Sequence, residues 1–250
     1  MSESNLQKAL NKTTPIWGGW ITGPTLIGPE EFARSGYDYV GFDAQHGYLD
    51  DADIAGMLRR IEHVPIATAV RLPNADPAPI GRVLDAGADA VFIAMIESAD
   101  QAAAAVAATR YPPAGIRSFG PLRASLGYDS AALESRVSVF AMIETAAALS
   151  GLSEICAVDG LAGIYIGPAD LAISMGVDAV GATRHPEVLE AIVGIHRAAT
   201  DAGLVTGIHA SEGKTGRAMA QLGFRMITLA AESQALRRGA VEHLREATGQ

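Results

Sequence analysis

Five ionisable side chains in this sequence have the types needed for one reaction centre. They are Asp43 and His46 in GFDAQHG, Arg71 in AVRLPN, Glu144 in VFAMIE and Asp170 in IGPADLAISMG. A histidine moves protons near neutral pH, and a carboxylate beside it orients the ring and keeps it basic. An arginine offers a permanent, forked positive charge to a substrate oxygen. Two carboxylates are hard oxygen ligands, suited to Mg²⁺ or Mn²⁺ with water and a chelating substrate completing the shell. No H-x-x-x-H or paired-cysteine pattern points to a dedicated zinc site. Each residue also has a plainer reading. Asp170 can cap a helix, Glu144 can be a solvated residue at the next helix start, Arg71 can be a rim charge paired with a neighbouring carboxylate, and His46 can be an exposed turn histidine. Local pattern leaves these alternatives open.

The elements that must carry these residues are legible. Short apolar runs predict strands over 16–21, 38–43, 65–71, 89–94, 137–143, 162–166, 204–208 and 224–229. Ala/Leu-rich segments between them predict helices near 28–35, 51–63, 76–86, 98–109, 145–156, 186–202, 211–221 and 232–246. Asp50 or Asp51 suits a cap, Pro77 and Pro186 a first turn, and Gly87 and Gly203 helix stops. Parallel strands need helical crossovers, so eight such units in 250 residues predict a (β/α)₈ (TIM) barrel forming one domain over 1–250. A doubly wound sheet is the alternative, but no G-x-G-x-x-G follows the first strand. In such a barrel chemistry gathers at the C-terminal strand ends. Those ends carry Trp20, Thr22 and Gly23, then Asp43, Gln45 and His46, then Arg71, Glu144 and Asp170. In the turn after strand six, Gly167 permits close backbone approach, Pro168 fixes φ, and Ala169 and Asp170 open a short helix with free N–H groups. Residues 110–136 form a Pro/Gly/Arg-rich connection too long for an ordinary loop, which marks it as functional or disordered.

Composition narrows the class. With 49% apolar residues the chain has material for one large core, and a net charge of −9 argues against a nucleic-acid partner. The single cysteine, Cys156, fits a reducing compartment and is read as a core residue rather than a nucleophile. The polar start MSESNLQKALNKTTP has no signal-peptide core, and no stretch approaches the roughly 18 apolar residues of a membrane span. The expectation is a cytoplasmic enzyme or metabolite binder without a membrane partner. His63, His185, His196, His209 and His243 are set aside for want of acid partners, and Ser130 in GYDS is no nucleophile elbow.

Taken together, GYDYVGFDAQHG (36–47), the segment 70–102, ATRYPPAGIRSFGPLRAS (108–125), AMIET (141–145) and VDGLAGIYIGPADLAISMG (158–176) resemble the HpcH/HpaI family of metal-dependent class II aldolases. The resemblance implies a phosphoenolpyruvate/pyruvate-type barrel that cleaves 4-hydroxy-2-oxo acids to pyruvate and an aldehyde. It implies Glu144 and Asp170 as ligands of Mg²⁺ or Mn²⁺, with Co²⁺ or Zn²⁺ as alternatives. It implies His46 as general base, Arg71 as the charge on the enolate oxygen, Asp85 as the acid raising that histidine's basicity, and Asp43 as a residue helping to hold it. Gly167, Pro168, Ala169 and Asp170 would bind the substrate carboxylate through backbone amides, and Trp20 would line the pocket. It further implies a homo-oligomer, a hexamer built as a trimer of dimers, with the C-terminal helix (about 232–247) exchanged between subunits. No Schiff-base lysine is required, and Lys8, Lys12 and Lys214 lie away from the strand ends.

Three departures bear on substrate. Met142 stands where familiar members carry a substrate-touching Gln, Gln45 where they carry Glu, and SFGP (118–121) where they carry an SVG-like segment. Met142 and Phe119 point to a less polar pocket or to hydroxypyruvate as donor, with 121–123 reading the far end of the aldehyde. Two other functions compete: an acyl-CoA lyase on the same scaffold, for which 19 basic residues at net charge −9 offer little phosphate-binding surface, and a non-catalytic oxo-acid binder.

Overall fold

The structure is a computed structural model and describes residues 3–249. Eight strands, β1 Ile16–Ile21, β2 Tyr39–Asp43, β3 Ala67–Leu72, β4 Ala90–Ile93, β5 Ser138–Ile143, β6 Gly163–Ile166, β7 Val205–His209 and β8 Met226–Ala231, pair in chain order. All pairings are parallel, and β8 returns to β1 through Ile16↔Met226, so the sheet is a closed (β/α)₈ barrel. Every expected strand is present, with ends shifted by two residues at most. Both β7 and β8 run past the expected ends at 208 and 229, which brings His209 and Ala231 onto strands.

The helices are α1 Asn5–Leu10, α2 Gly28–Arg34, α3 Asp51–Arg60, α4 Pro77–Asp85, α5 Ala99–Ala107, α6 Ser130–Ser135, α7 Ala146–Ser150, α8 Leu152–Cys156, α9 Pro168–Ser174, α10 Pro186–Asp201, α11 Gly213–Gln221 and α12 Glu232–Thr248. Asp50 caps α3 by accepting from the Asp53 amide at 2.8 Å, and Pro77 and Pro186 open α4 and α10. The single helix expected over 145–156 is two, parted at Gly151. The short helices α1 and α6 have too few turns to show a period. Leu6 and Ala9 of α1 join the cluster that fills the barrel interior with Ile16, Tyr39, Phe92, Phe140, Tyr165 and Met226. Around the outside, a second cluster seals the sheet against the helices. Strands buried on both faces read as the continuous apolar runs seen in the sequence.

Two regions stand apart. Residues 108–137 join the end of α5 to the start of β5, so within one chain they cover the N-terminal end of the barrel. Leu122 N–H donates to the Asp85 carbonyl there, and Arg136 pairs with Asp89 at 3.0 Å just before β4. Phe119 packs near the Tyr111 ring in the same loop. The expectation that Phe119 and 121–123 line the reaction pocket therefore fails within one chain, because an αβ connection lies at the end opposite the strand C-termini. The second region is α12, none of whose residues is buried, with Leu236 and Leu244 largely exposed.

Candidate active site

The C-terminal strand ends surround a cavity of about 650 Å³ lined by Trp20, Asp43, His46, Arg71, Met142 and Asp170, among others. At its base Asp43, which ends β2 and is 1% exposed, is the hub of a polar network. Arg71 grips it bidentately, Nε donating at 2.9 Å to Oδ1 and Nη2 to Oδ2, and the Trp20 indole N–H donates to Oδ2 at 3.1 Å. The Arg71 guanidinium also lies over the Trp20 ring, 5.4 Å from its centroid. Burial alone would raise the Asp43 carboxyl. The hydrogen bonds and charge of Arg71, with help from the His46 amide and Trp20, outweigh it and hold the group below the usual carboxylate range. Gly41 leaves room for the Trp20 ring, which a side chain on β2 would displace.

His46 follows on an exposed turn. Asp43 Oδ1 accepts the backbone N–H groups of Gln45 (3.1 Å) and His46 (3.0 Å), so it holds the turn's backbone rather than the imidazole. The turn is pinned on its other side by Tyr48 N–H to the Thr22 carbonyl at 2.8 Å. Gly47 makes that possible, with φ +135° and no Cβ to strike Thr22. His46 is exposed, as a turn histidine would be, and it also lines the cavity.

Glu144, just past β5, is 1% exposed. Its Oε1 accepts the Met95 N–H at 2.8 Å, with Met95 in a left-handed φ of +57°. Its Oε2 is buried without a hydrogen-bond partner. Burial chiefly raises this carboxyl; the Met95 amide pulls it down, neighbouring Asp170 adds to the rise, and Arg71 and His46 oppose it. Gly167 permits the approach, since a Cβ there would stand 3.1 Å from the Glu144 Cβ and on top of Oε2. Asp170 lies in the first turn of α9, but the N-cap is Gly167 and no side chain caps the helix. The capping role read for Asp170 is thus not the one it has. A buried acceptor stripped of donors, with the Asp170 carboxylate near enough to raise it, fits a hard divalent cation. No group of three or more His, Cys, Asp and Glu side chains with metal-binding geometry occurs among the described residues, so water and substrate would supply the remaining ligands.

Met142 lines the cavity, as do Gly167, Pro168 and Ala169. Asp85 does not. It ends α4, and its Oδ1 accepts from buried Arg117 at 2.7 Å at the N-terminal end of the barrel. Within one chain the structure keeps Asp85 from His46, because α4 has run back down the barrel wall by that point. Sequence reasoning passed over His209, which reaches the cavity because β7 is one residue longer than its apolar run. A histidine directly after such a run is the signal that would have found it.

A model of the HpcH/HpaI aldolase/citrate lyase family matches residues 18–238. A hydroxypyruvate/pyruvate aldolase of Rhizorhabdus wittichii is 38% identical over 223 residues, which cover 88% of this chain and 89% of the relative. A 4-hydroxy-2-oxovalerate aldolase of Rhodococcus jostii is 37% identical over 210 residues, covering 82% and 81%. The solved structure of an HpcH/HpaI aldolase/citrate lyase family protein from Burkholderia cenocepacia matches with a TM-score of 0.89 at 31% identity, covering 97% of this chain and 98% of that one. The family consists of aldolases and lyases that are generally dependent on a divalent metal. From the first strand to the last helix, this chain belongs to the HpcH/HpaI aldolase/citrate lyase family.

Proposed function

We propose that the chain is a divalent-metal class II aldolase that reversibly cleaves a 4-hydroxy-2-oxo acid to pyruvate, or hydroxypyruvate, and an aldehyde. The observation that carries this reading is the bare, buried Oε2 of Glu144, set against Gly167, which lines the cavity together with Asp170, Arg71 and His46. Glu144 and Asp170 hold the cation, and an all-oxygen pair favours Mg²⁺ or Mn²⁺ over Co²⁺ or Zn²⁺. When bound there, the cation supplies Lewis-acid stabilisation to the charge that develops on the 2-oxo oxygen.

The chain's own residues do the rest. Free first-turn amides of α9, at Ala169 and Asp170, hold the substrate carboxylate, with Pro168 fixing the turn. His46 accepts the proton of the 4-hydroxyl as the C3–C4 bond breaks and the aldehyde forms. The electron pair moves into the pyruvate enolate. Arg71, oriented by its two bonds to Asp43, turns its remaining N–H donors toward the enolate oxygen. The proton then returns to C3. Trp20 walls the pocket and Met142 keeps its far side apolar.

An oligomer of the kind the family resemblance implies, a hexamer, has two supports. No residue of helix α12 is buried, and a groove of about 590 Å³ lined by Trp17, Tyr37, Ala220 and Leu229 lies open between α2 and α11. A second copy's α12 fits that description, and sedimentation with and without residues 232–250 tests it. Cytoplasmic placement rests on Cys156, free and buried. No helix among the described residues is long and apolar enough to cross a membrane.

The test is a matrix of pyruvate and hydroxypyruvate against short aldehydes, with EDTA and then with Mg²⁺, Mn²⁺, Co²⁺ or Zn²⁺ restored. Carbon–carbon bond formation that vanishes with EDTA and returns with metal is expected. An acyl-CoA substrate turned over in preference to all free acids would overturn the assignment.

A further inference from the structure

One titratable group in the cavity has no task in the reaction above. His209 closes β7, lies edge-on to the Trp20 indole (5.3 Å between centroids, 88° between planes) and lines the same cavity as Arg71 and Asp170. It is only partly buried, so the ring opens to the cavity. Among the described residues the one histidine ring nitrogen hydrogen-bonded to protein is Nδ1 of His196, to Thr206 Oγ1 at 2.8 Å. The His209 ring has no such bond. Packed polar groups normally have partners, so a ring left free beside a cavity is available to whatever enters. Two residues on, Ser211 takes a left-handed φ of +62°, a conformation that clusters at ligand sites.

The character of the ring narrows the ligand. Burial first, and then the nearby Arg71 cation, push His209 down to about 4, against a weaker pull from Asp43. At neutral pH it is therefore an uncharged imidazole, with one N–H donor and one acceptor nitrogen. A carboxylate or phosphate gains little from such a group when arginine is at hand. An alkyl group leaves both nitrogens unsatisfied. A hydroxyl, itself donor and acceptor, matches both. Apolar Trp20, Ala210 and Ala231 share the lining with polar Ser211, Glu212 and Gln234, and Trp20 is the group in ring contact with His209.

Resting on the aldolase reading, the geometry points to His209 as a specificity-determining residue that hydrogen-bonds a substrate hydroxyl on or next to the reacting carbon, selecting hydroxylated substrates over their alkyl counterparts. That hydroxyl has two sources: C3 of hydroxypyruvate as donor, or C2 of a 2-hydroxyaldehyde such as glycolaldehyde as acceptor. Sites built to hydrogen-bond a hydroxyl discriminate strongly against analogues that lack it.

The experiment compares wild type, His209→Phe and His209→Gln, loaded with Mg²⁺, by two kcat/KM ratios. One is hydroxypyruvate over pyruvate with acetaldehyde as acceptor. The other is glycolaldehyde over acetaldehyde with pyruvate as donor. His209→Phe is expected to lower at least one ratio by roughly tenfold or more, mainly through KM, and the ratio that falls identifies the source. His209→Gln, which keeps a donor and an acceptor, is expected to recover most of the loss; it also keeps the test alive should the Phe variant not fold. Ratios that stay at wild-type values in both variants overturn the assignment, as do equal losses in both, which would mark a role in shape alone. A wild-type protein that fails to exchange the C3 protons of either 2-oxo acid overturns the aldolase reading itself, a result distinct from unchanged ratios in an active enzyme.

Discussion

Arg71 grips Asp43 at the C-terminal end of this barrel, and Arg117 grips Asp85 at the N-terminal end, with both pairs nearly withdrawn from solvent (side-chain exposures 13% and 2% against 1% and 14%). Both neighbourhoods also contain buried polar atoms without partners. At one end these include Glu144 Oε2; at the other they include Nε and Nη1 of Arg117, Nε of Arg123 and the Tyr111 hydroxyl. Burial and an unmet polar atom thus do not separate a site from a structural clasp. What separates them is the sign of the unmet atom and the space before it. Glu144 offers an acceptor against Gly167, on the wall of a 650 Å³ cavity that Asp170 also lines. Arg117 offers donors but lies over the Tyr111 ring, 4.8 Å away, inside the loop it organises. The first arrangement suits the cation and substrate proposed for it; the second holds residues 108–137 in place.

Substitutions break this comparison in a graded order. Glu144→Ala is expected to have the largest effect, a loss of metal-dependent turnover of about 10³-fold or more, because it removes the proposed cation ligand and its oriented charge. Metal titration by calorimetry should show the site lost while the melting temperature holds. His46→Ala should follow with roughly 10²–10⁴-fold in kcat, the range of a missing general base, at near-native metal affinity. A His46→Ala enzyme with full kcat would remove that residue from the chemistry. Gly167→Ala is subtler. Its methyl must displace the Glu144 carboxylate, so metal affinity should fall on the order of tenfold, the lower end for a disturbed supporting contact.

At the other end, Arg117→Met is expected to cost about 3–5 kcal/mol of stability by stranding Asp85, the penalty for halving a buried pair, and to leave the per-molecule exchange rate of the folded protein alone. Asp85→Asn sharpens the contrast. A stability loss with an unmoved pH profile keeps Asp85 a structural residue, whereas a shifted profile would mean that a second copy of the chain brings it to His46.

The smallest effect is a pH slope. Asp43 is held below the ordinary carboxylate range in the folded state. The stability it contributes is therefore complete above its unfolded value, near 4, and is lost as pH falls through its lower folded value. Asp43→Asn should flatten the acid limb of the stability curve in that window, read by urea midpoints at steps between about pH 5 and 2.

Most of the barrel was legible because its strands are buried on both faces and so read as unbroken apolar runs, and because Asp50, Pro77 and Pro186 punctuate the helices. The grouping of Asp43, His46, Arg71, Glu144 and Asp170 followed from the rule that strand C-termini converge. What sequence could not supply were facts created by tertiary contact. Asp43 binds the backbone of the His46 turn instead of its ring, Asp170 stands in a first turn whose cap is Gly167, and Glu144 is oriented by an amide from Met95 on the preceding βα loop. The long 108–137 connection was misplaced for a related reason. Length marks a loop as unusual but does not say at which end of a barrel it lies; counting elements does, since it joins a helix to a strand.

The central claim is that Glu144 and Asp170 hold a divalent cation that lets this cavity form an enolate from a 2-oxo acid. Proton NMR of pyruvate in D₂O with catalytic protein, without any aldehyde, tests it most directly. Loss of the methyl signal that requires Mg²⁺ or Mn²⁺, stops with EDTA and is absent in Glu144→Ala is the result predicted. Exchange that persists in EDTA or in Glu144→Ala, or a wild-type protein that exchanges neither pyruvate nor hydroxypyruvate with metal present, would contradict it.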